Sequence, residues 1–319
     1  MIVATSASAD EPLRLVTLPS RVLGAGEVRV RVRAIGVNPV DWKMRTGGPL
    51  RMAHHFVGPR GPLVVGVDFA GEVVEVGSGV QELAVGARVV GGTNFARKQL
   101  GSYADEVVVR PDQCAVLPDA VGFEAAACLP VAAVTPAVVL HELGPLPEKP
   151  RVLVLGASGG VGLFALQLVR NLGGQAVGVC SGRNVAIVER FAGIAVDYTK
   201  GDALVAARAH GPFDRIVHAV GSATYPLAGC KELLAERGVC GLVVVRPGDY
   251  ATIAFSRRYR AVLGRPDGAR LRPLVAALGR GDLEPVIEAR FPLAEAEAAH
   301  ALSRAGKVVG KILLIPDAT

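Results

Sequence analysis

Glycines at short spacing between two apolar runs have the clearest chemical meaning in this chain. RVLVL at 151–155 leads into GASGGVG at 156–162, a helix of apolar periodicity follows, and QAVGVC at 175–180 resembles a second strand. A strand, turn, helix and strand in this order offer backbone N–H groups to a pyrophosphate. We therefore predict a dinucleotide site whose contacts are Gly156, Ala157, Ser158, Gly159, Gly160, Val161 and Gly162.

The end of the second strand distinguishes between the two common nicotinamide dinucleotides. An NAD site usually places Asp or Glu about 20 residues beyond the glycines, where it binds the ribose 2′-hydroxyl. Here the segment reads CSGRN at 180–184, without an acid. The hydroxyl of Ser181 and the guanidinium of Arg183 suit a 2′-phosphate, so we predict NADPH as the cofactor. The alternative is that Arg183 is a solvated residue at the start of a helix.

Length and composition limit the remaining classes. The chain has 319 residues, 50% of them hydrophobic and 20% charged, which is typical of a soluble globular protein of two domains. No apolar stretch is long enough to cross a membrane, and MIVATSASADEP lacks the pattern of a signal peptide. The five cysteines show no disulfide or metal-ligand spacing, which favours reduced thiols in the cytoplasm. A net charge of +6 without a basic, aromatic block gives no reason to expect a nucleic-acid partner.

The order of patterns along the chain predicts an α/β fold with two domains. Residues 1–118 are mostly β, as in the alternating EVRVRVRAI at 27–35, and 150–245 alternate between strand and helix. The sequence pattern near the C-terminus again predicts β-strands. We expect a β-rich domain, 1–118 completed by 283–319, and a domain with a doubly wound parallel sheet at 119–282.

Three further motifs resemble one protein family. GVNPVDWKMRTG at 36–47, GVDFAGEVVEVG at 66–77 and GKVVGKILL at 306–314 are similar to segments of the zinc-independent quinone oxidoreductase and enoyl reductase branch of the medium-chain dehydrogenase/reductase superfamily. The resemblance implies a GroES-like catalytic domain beside a Rossmann domain. It also implies hydride transfer from NADPH to a quinone or an α,β-unsaturated carbonyl, and a homodimer paired through the last Rossmann strand, for which the apolar segment 239–245 is the candidate edge.

Zinc-dependent members of that superfamily differ at their metal ligands. Where they carry cysteine, histidine and glutamate, this chain reads Val37-Asn38 and Val67-Asp68, and Cys128 has no partner ligand at suitable spacing. His54 and His55 are adjacent, so their side chains diverge, and we expect them in a solvated loop. We therefore predict no metal, and without a Lewis acid the acceptor should be a carbon already activated by conjugation.

The 36–47 segment supplies the candidate catalytic residues. The resemblance places Asn38 beside the nicotinamide and the substrate. Lys43 stands where many relatives have tyrosine, so it is a candidate to hold the substrate oxygen or donate a proton, or is simply exposed. Trp42 either belongs to the core or forms the floor of the substrate site. Asp41 and Arg45, four residues apart, are expected to pair on one helical face.

The resemblance also implies cofactor contacts outside the glycine turn. Thr135 and Val243 should lie near the nicotinamide, Tyr198 near the 2′-phosphate, Val220 and Gly221 near the ribose, and Lys311 should reach the cofactor from the C-terminal strand. Residues 246–268 fit the family poorly and are predicted either to line the substrate entrance or to form a solvated loop.

Two alternative functions remain open at this point. One is a biosynthetic enoyl reductase that acts on a larger thioester, which the divergent 246–268 segment and Lys43 favour. The other is a protein that binds NADPH without redox activity.

Overall fold

The computed structural model describes residues 1–6 and 11–317. Residues 7–10, within the segment considered for a signal peptide, and 318–319, at the end of the predicted 283–319 tail, lie outside the described residues. The chain divides into two compact units. The first unit comprises 1–131 and 265–319, and the second comprises 132–264.

The strands in the described part of the chain are numbered in chain order. They are β1 Ile2–Ser6, β2 Arg14–Thr17, β3 Val28–Val37, β4 Leu63–Val64, β5 Asp68–Val76, β6 Arg88–Gly92, β7 Glu106–Val109, β8 Cys114–Val116, β9 Arg151–Leu155, β10 Gln175–Cys180, β11 Gly193–Asp197, β12 Phe213–His218, β13 Leu234–Leu242, β14 Tyr259–Ala261, β15 Ile287–Pro292 and β16 Lys311–Ile315.

The helices are numbered in the same way. They are α1 Pro39–Arg45, α2 Gly48–Val57, α3 Phe123–Ala127, α4 Pro130–His141, α5 Gly160–Asn171, α6 Val185–Ala192, α7 Ala203–Arg208, α8 Leu227–Leu233, α9 Asp249–Phe255, α10 Gly268–Gly279 and α11 Ala296–Arg304. None of these helices is long and apolar enough to cross a membrane.

The first unit is built around a largely antiparallel sheet. Its strands run β15-β16-β3-β5-β6-β8, β7 also pairs with β3, and β2-β1-β4 form a smaller sheet. The long strand β3 is central because it pairs with β5, β7 and β16. Its alternating valines are buried in the core of the unit, as the period-two pattern predicted. The end of β3 sets the start of α1, and the pairing of β16 with β3 brings the C-terminal strand beside that point.

The second unit is a six-stranded parallel sheet of order β11-β10-β9-β12-β13-β14. This is the strand order of a doubly wound dinucleotide-binding fold. Strand order reverses between β9 and β12, and a ligand of such a sheet binds at the carboxyl ends of the strands near that point. The predicted α/β fold class is confirmed.

Three local expectations need correction. Segment 239–245 is not a sheet edge, because β13 pairs with both β12 and β14, so the edge strand is β14. Segment 246–268 forms α9 and β14 instead of a continuous loop. His54 lies in α2, where it is buried against Phe95, since the amphipathic helix turns one of its two histidines inward.

The packing boundary also differs from the predicted domain boundary. Residues 119–131 and 265–282 belong to the first unit by packing. Helix α3 packs on β3 and β5, and α10 packs on β8. The backbone at Gly268 lies so close to the carbonyl of Cys114 that a Cβ there would be 2.3 Å from that oxygen.

Candidate active site

The glycine turn of the second unit is shaped by close backbone contacts. Gly156, directly after β9, has φ +87°, which favours glycine. A Cβ on Gly162 would lie 2.3 Å from the Gly156 carbonyl oxygen, so a larger residue forces the turn open. Helix α5 begins at Gly160 and directs its first N–H groups into this turn. The turn has the geometry that a pyrophosphate requires.

A second turn follows β10 and is tied to the glycine turn. Ser181 precedes the short helical turn Gly182–Asn184, which contains Arg183. The Asn184 side-chain amide donates from Nδ2 to Ser158 Oγ at 2.9 Å, a link between residues 26 positions apart that no sequence motif indicates. The segment predicted to bind the pyrophosphate and the segment predicted to bind the 2′-phosphate are therefore in contact.

Asp197 was missed as a part of this second turn. A Cβ on Gly182 would lie 2.7 Å from Asp197 Oδ2, so the carboxylate sits directly against the turn. Hydrogen bonds from Thr199 lower the pKa of Asp197, which keeps it ionised. Tyr198, the next residue, is 50% exposed at the end of β11. Asp197 thus binds both the turn at Gly182 and the Thr199 backbone that follows Tyr198.

The other predicted cofactor residues of the second unit lie at related places. Val220 and Gly221 follow β12, and the Val220 side chain is 38% exposed and abuts Gly156. Val243 follows β13, and its N–H donates to the His218 carbonyl. Thr135 is buried in α4. The valines and Gly221 share the carboxyl edge of the parallel sheet with the two turns, whereas Thr135 is set on a helix.

In the first unit, Asn38 is held by side chains from distant strands. It is 3% exposed, and its Oδ1 accepts a hydrogen bond of 2.6 Å from Lys311 Nζ on β16. The same ammonium donates to the Val37 carbonyl at 3.0 Å and to Asp68 Oδ2 at 3.3 Å. These three acceptors occupy the three N–H bonds of the ammonium. Lys311, predicted to contact the cofactor, therefore has all three of its N–H bonds engaged within the first unit.

A chain of hydrogen bonds ends on the carboxyl group of Asp41. Arg45 Nη1 lies 3.2 Å from His300 Nδ1, His300 Nε2 lies 2.9 Å from the Tyr103 hydroxyl, and that hydroxyl lies 3.2 Å from Asp41 Oδ2. Because arginine only donates, His300 accepts at Nδ1 and, when neutral, donates from Nε2. Tyr103 then donates to Asp41, which also accepts the Asn38 N–H at 2.8 Å.

Burial sets the protonation of this chain. It raises the pKa of Asp41 to about 7, against the hydrogen bond from Asn38. It lowers the pKa of His300 to about 4, with the nearby Arg45 cation acting in the same direction. His300 is therefore neutral near pH 7, as the hydrogen-bond directions require. We call Asn38, Asp41, Arg45, Asp68, Tyr103, Glu297, His300 and Lys311 the polar network.

The predicted pairing of Asp41 with Arg45 is wrong. Arg45 Nη1 pairs with Glu297 on α11 at 2.8 Å, and its Nη2 donates to the Glu11 carbonyl. The four-residue spacing brought the two side chains onto one short helix, but Arg45 reaches outward to α11 while Asp41 turns back to the start of α1. Hydrogen bonds through His300 and Tyr103 link the two side chains.

Lys43 and Trp42 occupy a less buried part of α1. Lys43 is partly buried, and this burial lowers the pKa of its ammonium. Its Nζ lies 5.5 Å from the centroid of the Trp42 ring. Trp42 donates from Nε1 to Ser303 Oγ at 3.2 Å. Both predicted residues therefore remain partly accessible, unlike Asn38.

Known proteins similar to this chain agree with this architecture. Residues 24–119 match the alcohol dehydrogenase GroES-like domain, and residues 192–314 match the family described as zinc-binding dehydrogenase. The chloroplast envelope quinone oxidoreductase homolog of Arabidopsis thaliana is 30% identical in an alignment that covers 95% of this chain and 94% of that protein.

Two bacterial proteins extend the comparison. A quinone oxidoreductase of Pseudomonas aeruginosa is 30% identical, with 92% of each chain covered. The solved structure of the quinone oxidoreductase from Coxiella burnetii has a TM-score of 0.87 and 27% identity, with 98% of each chain covered.

The chain belongs to the medium-chain dehydrogenase/reductase superfamily. It is an oxidoreductase that uses a nicotinamide cofactor, as the family relationship and the dinucleotide fold of the second unit together show.

The zinc of some superfamily members does not fit this chain. Within residues 1–6 and 11–317 there is no group of three histidine, cysteine, aspartate or glutamate side chains that could hold a metal ion. Asp68 is fully buried and paired with Lys311. Burial raises the pKa of the Cys128 thiol to about 12, so it is not a thiolate, and its Sγ donates to the Glu124 carbonyl.

Tyr103 and His300 are members of the polar network that sequence reasoning missed. They lie 62 and 259 residues from Asp41 along the chain, and neither belongs to the three motifs. For His300, the available signal was its position in the pattern of α11. A single histidine on the apolar face of a helix usually indicates a hydrogen-bonded core residue.

Proposed function

We propose that the protein is a zinc-independent, NADPH-dependent reductase of quinones or α,β-unsaturated carbonyls. The observation that carries this proposal is the Asn38 carboxamide, fixed by a buried lysine in an oxidoreductase whose described residues offer no metal site. An amide N–H stabilises an oxyanion less strongly than a Lewis acid does. It therefore suits an acceptor whose negative charge is delocalised by conjugation.

The second unit would hold the cofactor through its two linked turns. Residues 156–162 would bind the pyrophosphate. The 2′-phosphate would be bound by Ser181, Arg183 and Tyr198. The nicotinamide riboside would be contacted by Thr135, Val220, Gly221 and Val243. When bound, the reduced cofactor supplies a hydride. A cavity of about 300 Å³ beside Tyr198, lined by Thr224 and Tyr225 among others, is the candidate site for the adenine.

The first unit would stabilise the negative charge that develops on the substrate and supply the proton. Asn38 donates its amide N–H to the developing enolate or phenolate oxygen. Lys43 delivers the proton, because burial lowers the pKa of its ammonium and so makes it a better acid. Trp42 would pack against the substrate beside Lys43.

The direct test is oxidation of NADPH, followed by absorbance, with a panel of quinones, enones and saturated ketones. We expect turnover with the conjugated acceptors and none with saturated ketones, unchanged by a metal chelator. Absence of NADPH oxidation with every quinone and enone would refute the proposal, as would activity that a chelator removes.

Cofactor preference is tested separately by binding. Arg183→Gln should weaken NADPH binding about tenfold and leave NADH binding unchanged, because only the 2′-phosphate pairs with a guanidinium. Arg208→Met serves as a control on the same unit, since Arg208 pairs with Glu232 at the surface. Equal weakening of both cofactors would contradict the assignment to NADPH.

A second candidate function is reduction of an enoyl thioester during biosynthesis. A protein named trans-enoyl reductase from Pyricularia grisea is 35% identical over 215 residues, 63% of this chain and 56% of that protein. Steady-state kinetics decide between the two, since a thioester enzyme should have a much higher kcat/KM for an enoyl thioester than for a small enone or quinone.

We also propose that the protein is a cytoplasmic homodimer. Support comes from the five cysteines, all buried and none in a disulfide. It also comes from the short edge strand β14, which leaves a sheet edge available for pairing with a second copy. Cell fractionation tests the location, and light scattering tests the assembly, for which a monomer at micromolar concentration is the contrary result.

A further inference from the structure

Lys311 is a cation enclosed by three acceptors of its own unit. It is 4% exposed, and its Nζ donates to the Val37 carbonyl, Asn38 Oδ1 and Asp68 Oδ2 at 3.0, 2.6 and 3.3 Å. The shortest of these contacts is the one to Asn38. Because all three N–H bonds are used, the ammonium cannot act directly on a ligand without losing one of them.

The ammonium decides which way the Asn38 carboxamide faces. A carboxamide has an oxygen that accepts and a nitrogen that donates, and an ammonium only donates. The atom beside Lys311 must therefore be the oxygen, which turns Nδ2 away from it. One N–H of Nδ2 donates to the Gly36 carbonyl at 3.2 Å. The carboxamide also interacts with the Asp68 carboxyl, and this hydrogen bond lowers the pKa of Asp68.

The position of Asn38 makes this orientation notable. Asn38 precedes α1, where an asparagine side chain commonly accepts a hydrogen bond from the first turn of the helix. Here the Asp41 N–H in the first turn donates to the Asn38 main-chain carbonyl at 3.0 Å. The side-chain oxygen is used by Lys311, and the start of α1 is bound by Asp41, which accepts the Asn38 N–H. The carboxamide oxygen is thus bound by the Lys311 ammonium, which orients the group.

Asp68 makes the buried cation tolerable. Its Oδ2 accepts from Lys311, and its Oδ1 accepts from the Val131 N–H at 3.1 Å. Burial raises the pKa of Asp68, and the Lys311 cation is the largest opposing influence. The pair places a fixed positive charge against the Asn38 oxygen without a net buried charge.

We propose that Lys311 is a positioning residue of the reduction: its ammonium fixes and polarises the Asn38 carboxamide so that the Nδ2 group is directed to the developing oxyanion. This inference rests on the proposed function. A cation on the amide oxygen withdraws electron density and makes the opposite N–H a stronger donor. Lys311 acts through Asn38 and does not touch the substrate.

The test removes the ammonium without leaving an unpaired buried charge. Lys311→Met alone would strand the Asp68 carboxylate, so the variant is Lys311→Met with Asp68→Asn, and wild type is the reference. Asp68→Asn alone, in which Lys311 keeps its Val37 and Asn38 acceptors, controls for the second substitution. We expect kcat about 100-fold lower in the double variant than in the reference, because a donor to the oxyanion is misplaced. The Kd for NADPH should stay the same, and Lys311→Arg should retain part of the activity.

A double-mutant comparison separates positioning from simple structural support. If Lys311 acts through Asn38, removing the ammonium in an Asn38→Ala background should lower kcat less than about threefold further. A second loss of about 100-fold in that background would overturn the proposal, as would a matching loss of NADPH affinity. Lys231→Met, at an exposed lysine of α8, is the control for removal of a lysine.

A spectroscopic readout keeps the inference independent of the reaction. In protein labelled with ¹⁵N-asparagine, the Asn38 side-chain amide signals, assigned by their loss in Asn38→Ala, should shift in the double variant and stay near the reference position in Lys311→Arg. If no acceptor is reduced, the proposed function fails while these shifts still test the orientation. Unchanged Asn38 signals in the double variant would reject the inference.

Discussion

The glycine turn of the second unit and the polar network of the first unit are ordered by opposite means. The turn depends on the absence of side chains, since Gly156 and Gly162 approach at distances that a Cβ would prevent. The network depends on particular side chains from α1, α11, β5 and β16 and from the loop that carries Tyr103. The turn is local in sequence, whereas the network is not. The two regions should therefore respond to mutation in different ways.

The largest effect is expected from Gly162→Ala in the turn. Its Cβ would lie 2.3 Å from the Gly156 carbonyl oxygen and 2.6 Å from the Ala157 backbone, so the turn must open. We expect NADPH affinity to fall by about 1000-fold or more, because the pyrophosphate loses several backbone donors at once. Fluorescence titration measures this loss. Gly248→Ala is the matched control, since a Cβ there has no neighbour within 4 Å; an equal loss in both variants would contradict the steric argument.

The ion pairs of the two units give the next contrast. Arg45 is 2% exposed at its side chain and also contacts His300, whereas Arg208 and Glu232 are 63% and 64% exposed. Arg45→Met should lower the free energy of unfolding by about 3 kcal/mol, as expected when one partner of a buried pair is removed. Arg208→Met should change it by less than about 0.5 kcal/mol. Urea denaturation measures both, and similar values would show that the network is not held by Arg45.

These two regions also mark what the sequence could predict. Residues 156–162 were predictable because spacing within one short segment determines the turn. The partners of Lys311 were not, since Asn38 and Asp68 lie 273 and 243 residues away and become neighbours only when β16 pairs with β3. Local spacing was misleading for Asp41 and Arg45, whose partners come from outside α1. Helix spacing shows which residues share a face, but not which one finds a stronger partner elsewhere.

The pH dependence of the unfolding free energy should reveal the contribution of the Asp41 carboxyl group. Its pKa is about 7 in the folded protein and near 3.8 when unfolded, because burial disfavours the carboxylate. Between these values the folded state binds more protons, so Asp41 makes stability fall as pH rises. Relative to wild type, Asp41→Asn should gain about 2–3 kcal/mol of unfolding free energy from pH 5 to pH 8. Urea denaturation at several pH values measures this difference, and a constant difference would exclude a raised pKa for Asp41.

The smallest expected change in unfolding free energy comes from removing the hydroxyl group of a buried tyrosine, for which two tyrosines can be compared. Tyr103 donates to Asp41 and accepts from His300, whereas the Tyr259 hydroxyl donates to one neutral acceptor, the Leu227 carbonyl. Each Phe substitution removes only the hydroxyl, so packing is retained. Tyr103→Phe should cost about 2 kcal/mol near pH 8, where Asp41 is ionised and loses a donor, and Tyr259→Phe about 1 kcal/mol. The cost at Tyr103 should shrink at pH 5, when Asp41 is protonated, while the cost at Tyr259 stays constant. If both costs are independent of pH, the Tyr103 hydroxyl does not donate to a carboxylate that titrates in this range. The hydrogen-bond directions assigned from Arg45 through His300 and Tyr103 to Asp41 would then be incorrect.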